Sequence, residues 1–346
     1  MSNLQIGLAI AGGVVLAAVV AHGAWSSRRN APRQASPEEP AGSPIATFRE
    51  PTLTGDAMDP PPFTLPPVAR RPVMDSLIDV IATIALDGPA TAVSGDAALA
   101  ALPATRRVGS KPFAVEGYNL QSLVWEPPAP GHRYGGFQTG VQLANRSGAL
   151  NEIEYSEFVV KTQAFADAIN GTPEFPEMRD EVARARELDQ FASAHDAQLG
   201  FTIRARNASW SPGYIQQTAA RLGFVPGVLP GRMVLPAAEE GLAPVLVLGY
   251  DSQAALAEDP AQSAIRDITL HLDVAQVDRA EHPFERMREV ATALAQTMEG
   301  VVTDDNGQLL TAQTMDVIGT ELQTLYDTLE QRDLAAGSML ARRLFS

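Results

Sequence analysis

Residues 270–300 read LHLDVAQVDRAEHPFERMREVATALAQTMEG, and residues 141–171 read VQLANRSGALNEIEYSEFVVKTQAFADAING. The two stretches align without a gap at a constant offset of 129 positions. Val141 falls on Leu270, Leu143 on Leu272, Tyr155 on Phe284, Phe158 on Met287, Ile169 on Met298 and Gly171 on Gly300. In the later copy Ile268, Leu270, Leu272 and Val274 alternate with Thr269, His271 and Asp273, the pattern of a strand with one buried face. Phe284, Met287, Ala291, Leu294 and Met298 then recur at steps of three and four, which makes one apolar helical stripe. Each copy is therefore a strand followed by an amphipathic helix that stops at glycine.

The order upstream of each copy also recurs. A strand is expected over Leu77–Leu86, a short helix over Gly95–Leu102 and a strand over Lys111–Glu116. In parallel, Leu199–Ala205 reads as a strand, Pro212–Leu222 as a helix, and Arg232–Leu235 and Val245–Tyr250 as strands. A last helix over Thr311–Leu329 buries Met315, Ile318, Leu322, Leu325 and Leu329. The fold class is thus α+β, each half an antiparallel sheet with helices on one face.

Residues 4–25 (LQIGLAIAGGVVLAAVVAHGAW) are 22 residues with no charge. That is about 33 Å of helix at ~1.5 Å per residue, against ~30 Å of hydrocarbon. Leu4 opens the run and Trp25 closes it where an interfacial aromatic belongs; Arg28, Arg29 and Arg33 follow, and nothing basic precedes. A cleaved signal peptide carries its charge before a shorter apolar core, so an uncleaved anchor is expected, with residues 1–3 periplasmic and the bulk of the chain cytoplasmic. Residues 26–72 carry repeated proline (Pro32, Pro37, Pro40, Pro44, Pro51, Pro60, Pro61, Pro62, Pro66, Pro67) and few apolar side chains, as expected of a disordered tether. The folded part then divides into 73–194, 195–335 and a tail, 336–346.

Net charge is −15, which disfavours nucleic acid as a partner. There is no cysteine, so disulfides, thiolate nucleophiles and thiolate metal sites are excluded. His22, His132, His195, His271 and His282 show no HxxxH or HExxH spacing, and neither a phosphate-binding GxxxxGK[ST] loop nor a GxSxG elbow is present. Asp304 and Asp305 stand in a DDNG run, which suits a tight turn better than a metal or an acid–base pair. TRRVGSK at 105–111 reads as a solvated basic loop, with contact to anionic lipid or to an acidic tail as the alternative. No enzyme, cofactor, metal site or small-molecule substrate is expected.

The carboxy-terminal sequence supplies a resemblance. FERMREVATALAQTMEGVVTDDNGQLLTAQTMDVI at 284–318 is similar to the helix–GGVVLDD–turn–TP–helix region of the ZipA family, membrane anchors of the bacterial division ring. Gly300, Val301, Val302, Asp304, Asp305 and Thr311 fall on that motif, and SPGYIQQTAARLGF at 211–224 resembles the family's first helix. Residues 73–190 and the terminal run AGSMLARRLFS at 336–346 resemble longer family variants. The resemblance implies two split βαβ units and, over 195–335, an FtsZ-binding domain whose open sheet face holds the carboxy-terminal peptide of FtsZ. It also implies the inner membrane and further divisome proteins as partners, in cell division and septum formation. Alternation nominates Thr202, Arg204, Leu246, Leu248, Tyr250, Thr269, His271 and Asp273 for that face, with Met233 beside them. Large apolar side chains stand in the family where this chain has Thr202 and His271. The alternative function is a membrane-anchored scaffold for another cytoplasmic partner.

Overall fold

The computed structural model describes residues 32–35, 74–87, 92–239 and 241–346. The apolar stretch with Leu4, Trp25, Arg28 and Arg29, and most of the proline-rich stretch, lie outside them. Among the described residues no helix is long and apolar enough to cross a membrane. The chain forms two compact units. One holds residues 74–195 together with Arg342–Ser346; the other holds Asp196–Ala341 together with the described residues 32–35.

In the first unit the main elements are β1 (Asp79–Leu86), α1 (Gly95–Ala101), β2 (Lys111–Asn119), β3 (Arg133–Gln142), α2 (Glu152–Ala168), β4 (Gly171–Glu174) and α3 (Met178–His195). The main strands lie in the order β2–β3–β1–β4, all antiparallel. Val80 faces Val141 and Ile84 faces Phe137 across β1 and β3, so one set of alternating residues shares one side. That side meets α2, because Thr139 of β3 hydrogen-bonds Thr162 of α2 at 2.8 Å with both residues buried. Phe137 stacks edge-on to Phe165 there, at 5.5 Å between ring centres. The helix begins where Asn151 accepts from the backbone N–H groups of Ile153 and Glu154 while Glu154 reaches back to Asn151, a reciprocal cap that satisfies otherwise orphaned donors.

The second unit repeats this plan. It comprises β5 (Gln198–Ala205), α4 (Pro212–Ala220), β6 (Arg232–Leu235), β7 (Leu246–Gly249), β8 (Asp267–Asp273), α5 (Pro283–Met298), β9 (Gly300–Thr303) and α6 (Ala312–Glu330). A short helix, α7 (Met339–Leu344), closes the chain. The strand order β6–β7–β8–β5–β9 is the order of the first unit with one strand added outside, again antiparallel throughout. Residues 171–174 form β4, and residues 300–303, shifted by the sequence offset, form β9.

A glycine opens each of these edge strands for one shared reason. A Cβ on Gly171 would stand 2.7 Å from Ile84 Cγ2 and 3.0 Å from the Ala85 carbonyl. A Cβ on Gly300 would stand 2.8 Å from Ile203 Cγ2 and 3.0 Å from the Arg204 carbonyl. In both units the strand leaving the helix presses against the central strand too closely for a side chain. Trp210, fully buried, completes the junction in the second unit: its indole N–H donates 2.9 Å to the Met298 carbonyl at the end of α5.

The proline-rich stretch contains one placed segment. The Arg33 N–H donates to the Ser209 carbonyl at 2.7 Å, and the Ser211 N–H donates to the Arg33 carbonyl at 2.9 Å. Arg33 thus runs parallel to Trp210, and its guanidinium pairs with Glu299 at 2.6 Å. The expectation of a wholly disordered tether over 26–72 is corrected at residues 32–35. The composition offers few apolar groups there, but backbone hydrogen bonding to an exposed edge does not require them.

Candidate functional site

The register fixes which residues line each side of the second sheet. Phe201 pairs with Leu270, Ile203 with Ile268, Met233 with Leu248 and Leu248 with Leu270, and all of these are buried beneath the helices. The intervening residues form the other side. Gly200 pairs with His271, Thr202 with Thr269 and Arg204 with Asp267; Val247 pairs with both Val234 and His271, and Gly249 with Arg232 and Thr269. Arg204, Arg232, Asp267 and His271 are exposed, so this face is open.

Of the residues nominated from the sequence, Thr202, Arg204, Thr269, His271 and Asp273 lie together on that face. Met233, Leu246 and Leu248 do not. Each is at most 2% exposed and points to the helix side. The stretch LVLG alternates one apolar pair with another, so it does not declare its own face. The two leucines take the core, where they remove more apolar surface from water, and Val247 and Gly249 are left on the open side. Tyr250 follows β7 at the rim and lines part of the open-face groove, while its hydroxyl accepts a hydrogen bond from Gln216 of α4 at 2.7 Å.

Two shallow depressions meet on the open face. One, about 380 Å³, is lined by Leu229, Arg232, Val247, Gly249, Thr269 and His271. The other, about 560 Å³, is lined by Gly200, Arg232, Val245, Val247, His271 and Asp305 among others. Arg232, Val247 and His271 belong to both, so they mark the centre of one continuous shallow groove. The glycines keep its floor low. A Cβ on Gly249 would come within 2.9 Å of Thr269 Oγ1, and one on Gly200 within 3.0 Å of the Asp305 carboxylate. Arg204 is held by Asp267 at 2.8 Å, an exposed pair worth little to stability but a fixed pattern of charge beside the groove.

Arg232, Val247, Gly200 and Asp305 were not nominated from the sequence. Arg232 is separated by a loop from the strand it pairs with, and only the register reveals it. Asp305 reaches the groove from the turn after β9. That turn is set by Asp304, whose carboxylate accepts from the Asn306 and Gln308 N–H groups at 2.9 and 2.7 Å, with Gly307 at a φ of +77°. Asp304 therefore shapes a turn, as the DDNG reading expects, and Asp305 stands at the groove. Among the described residues no group of three or more His, Asp or Glu side chains is placed to hold a metal ion.

In the basic run 105–111, Thr105, Arg106 and Arg107 are exposed as a solvated loop requires, and Lys111 departs from that reading. Lys111 is buried, with its ammonium 2.7 Å from Ser110 Oγ and 3.8 Å from the Glu154 carboxylate. Burial pushes its pKa below the ordinary lysine value, and Glu154 opposes that shift. Spacing alone does not reveal a lysine whose carboxylate partner lies 43 positions away, at the start of α2.

Residues 256–321 match the family model of the ZipA C-terminal FtsZ-binding domain. That stretch is ZipA-like. The matched stretch carries β8, α5, β9 and the start of α6, and so includes Thr269, His271 and Asp305 of the open face. No curated protein matches the chain. The ZipA family model describes a protein-binding domain and not an enzyme.

Proposed function

We propose that the chain is a cell-division adaptor that tethers FtsZ filaments to the inner membrane, its carboxy-terminal unit holding the FtsZ carboxy-terminal peptide on the open sheet face. One observation carries this reading: within the ZipA-like unit, the helices cover one side of the sheet and leave a continuous groove on the other. An extended peptide laid across such a face gains apolar contact with Val247 and Val234 and polar contact with Arg232, Thr269 and His271. The uncharged apolar stretch 4–25 and the arginines after it support an anchor whose folded part lies on the cytoplasmic side.

The test is binding of a synthetic FtsZ carboxy-terminal peptide to the full chain in lipid nanodiscs, followed by fluorescence anisotropy. Val247→Asp is expected to weaken binding at least tenfold, about 1.4 kcal/mol, while leaving the fold intact. Unaltered affinity would refute the placement of the peptide. A second reading, a membrane-anchored scaffold for a different cytoplasmic partner, draws on the polar groove floor, where Arg232 and His271 stand at the centre. Recovery of one other partner, and never FtsZ, by crosslinking in the source cell would favour it.

A further inference from the structure

The open face of the first unit is already occupied. Asp79 pairs with Gln142, Ile81 with Gly140 and Thr83 with Gln138 across β1 and β3, and by alternation these six lie on the side away from α2. Arg343 places both terminal nitrogens on the Asp79 carboxylate, at 2.6 and 2.9 Å. Gln142 Nε2 donates 2.7 Å to the Arg343 carbonyl, and the Arg146 N–H donates 3.2 Å to the Ser346 carbonyl. Leu344 and Phe345 are each 1% exposed. Met74 covers the centre of the same face, packed on Gly140, its N–H donating 3.1 Å to the buried Glu116 carboxylate.

The position is informative. Asp79 and Gln142 occupy the places that Gly200 and His271 hold in the second unit, since Val80–Val141 and Phe201–Leu270 are the matching helix-side pairs next along each strand. Where the second unit has an open groove, the first unit holds residues 342–346.

We propose that the first unit is itself a peptide-binding module and that its ligand is the chain's own segment Arg342–Ser346, with Asp79 as the residue that selects arginine. A two-pronged Arg–carboxylate contact gives the site its specificity, and a lysine in place of Arg343 would lose the paired geometry. Covalent attachment keeps the local concentration of the segment high, so the site stays filled in the resting chain. This inference is independent of FtsZ binding by the second unit.

The experiment uses the full chain in nanodiscs, intact or ending at Ala341, and a fluorescein-labelled peptide copying residues 336–346. The shortened chain should bind the peptide saturably. The intact chain should bind it at least tenfold more weakly, and Asp79→Asn in the shortened chain should weaken binding at least tenfold. Failure of a folded shortened chain to bind, or equal binding by intact and shortened chains, would overturn the proposal. Should the shortened chain not fold, hydrogen exchange of the intact chain decides. Amides of residues 342–346 are expected to exchange at least tenfold faster in Asp79→Asn and in Arg343→Gln, with protection restored in the Asp79→Arg, Arg343→Asp pair. Unchanged exchange in the single variants would equally overturn it.

Discussion

Single side chains separate the visible from the hidden in this protein. Gly171 and Gly300 stand out in the sequence as the ends of two aligned helices, yet their purpose is a backbone approach that only the fold creates. Gly300→Ala is expected to cost about 1–3 kcal/mol, the usual penalty for forcing atoms into a packed contact, and Gly171→Ala a similar amount; denaturant unfolding of each variant measures it. Tyr326 is the converse case. Its ring is buried beneath the Arg279 guanidinium at 5.6 Å, but its hydroxyl has no hydrogen-bond partner among the described residues. Burial, reinforced by the charge of Glu285, pushes its pKa up to about 12. A raised pKa means that the stabilising contribution of the neutral phenol is fully present below ~10 and is lost as the pH rises through about 12. Tyr326→Phe should therefore be neutral or stabilising by up to about 1 kcal/mol near neutrality. It should also remove part of the stability loss between pH 10 and about 12, read by denaturant titration at a series of pH values.

At the scale of elements, legibility followed hydrophobic contrast. β8 alternates apolar and polar residues, so its two faces were assigned correctly from ITLHLD alone. β7 is apolar on both faces, and its nominated leucines proved to be core. The difference is testable. Leu248→Asp should abolish cooperative folding of the unit, because it buries a carboxylate with no partner among the core side chains around it. Val247→Asp, one residue away, should leave circular dichroism and the unfolding midpoint nearly unchanged. Equal destabilisation by both would mean that the register of β7 is misassigned. Placement of residues 32–35 beside Trp210 was not legible, because backbone pairing leaves no periodic trace in side chains.

Across the whole molecule, the sequence offset and the strand order tell one story. Two units share the order of four main strands and the helix between the third and fourth of them in the chain, and the edge strands fall 129 positions apart. The repeat was legible because each copy's strand, helix and glycine keep one spacing. What distinguishes the copies was not, since it depends on what covers each sheet: Met74 and residues 342–346 on the first, and a groove around Arg232, Val247 and His271 on the second. Function on this account resides in the face left open. The most direct test is photo-crosslinking from an FtsZ carboxy-terminal peptide, carrying a photoreactive side chain, to the full chain in nanodiscs, with sites read by mass spectrometry. Crosslinks at Val247, Thr269 and His271 are the expected result. Crosslinks confined to the helix side, on α5 and α6, would contradict the account.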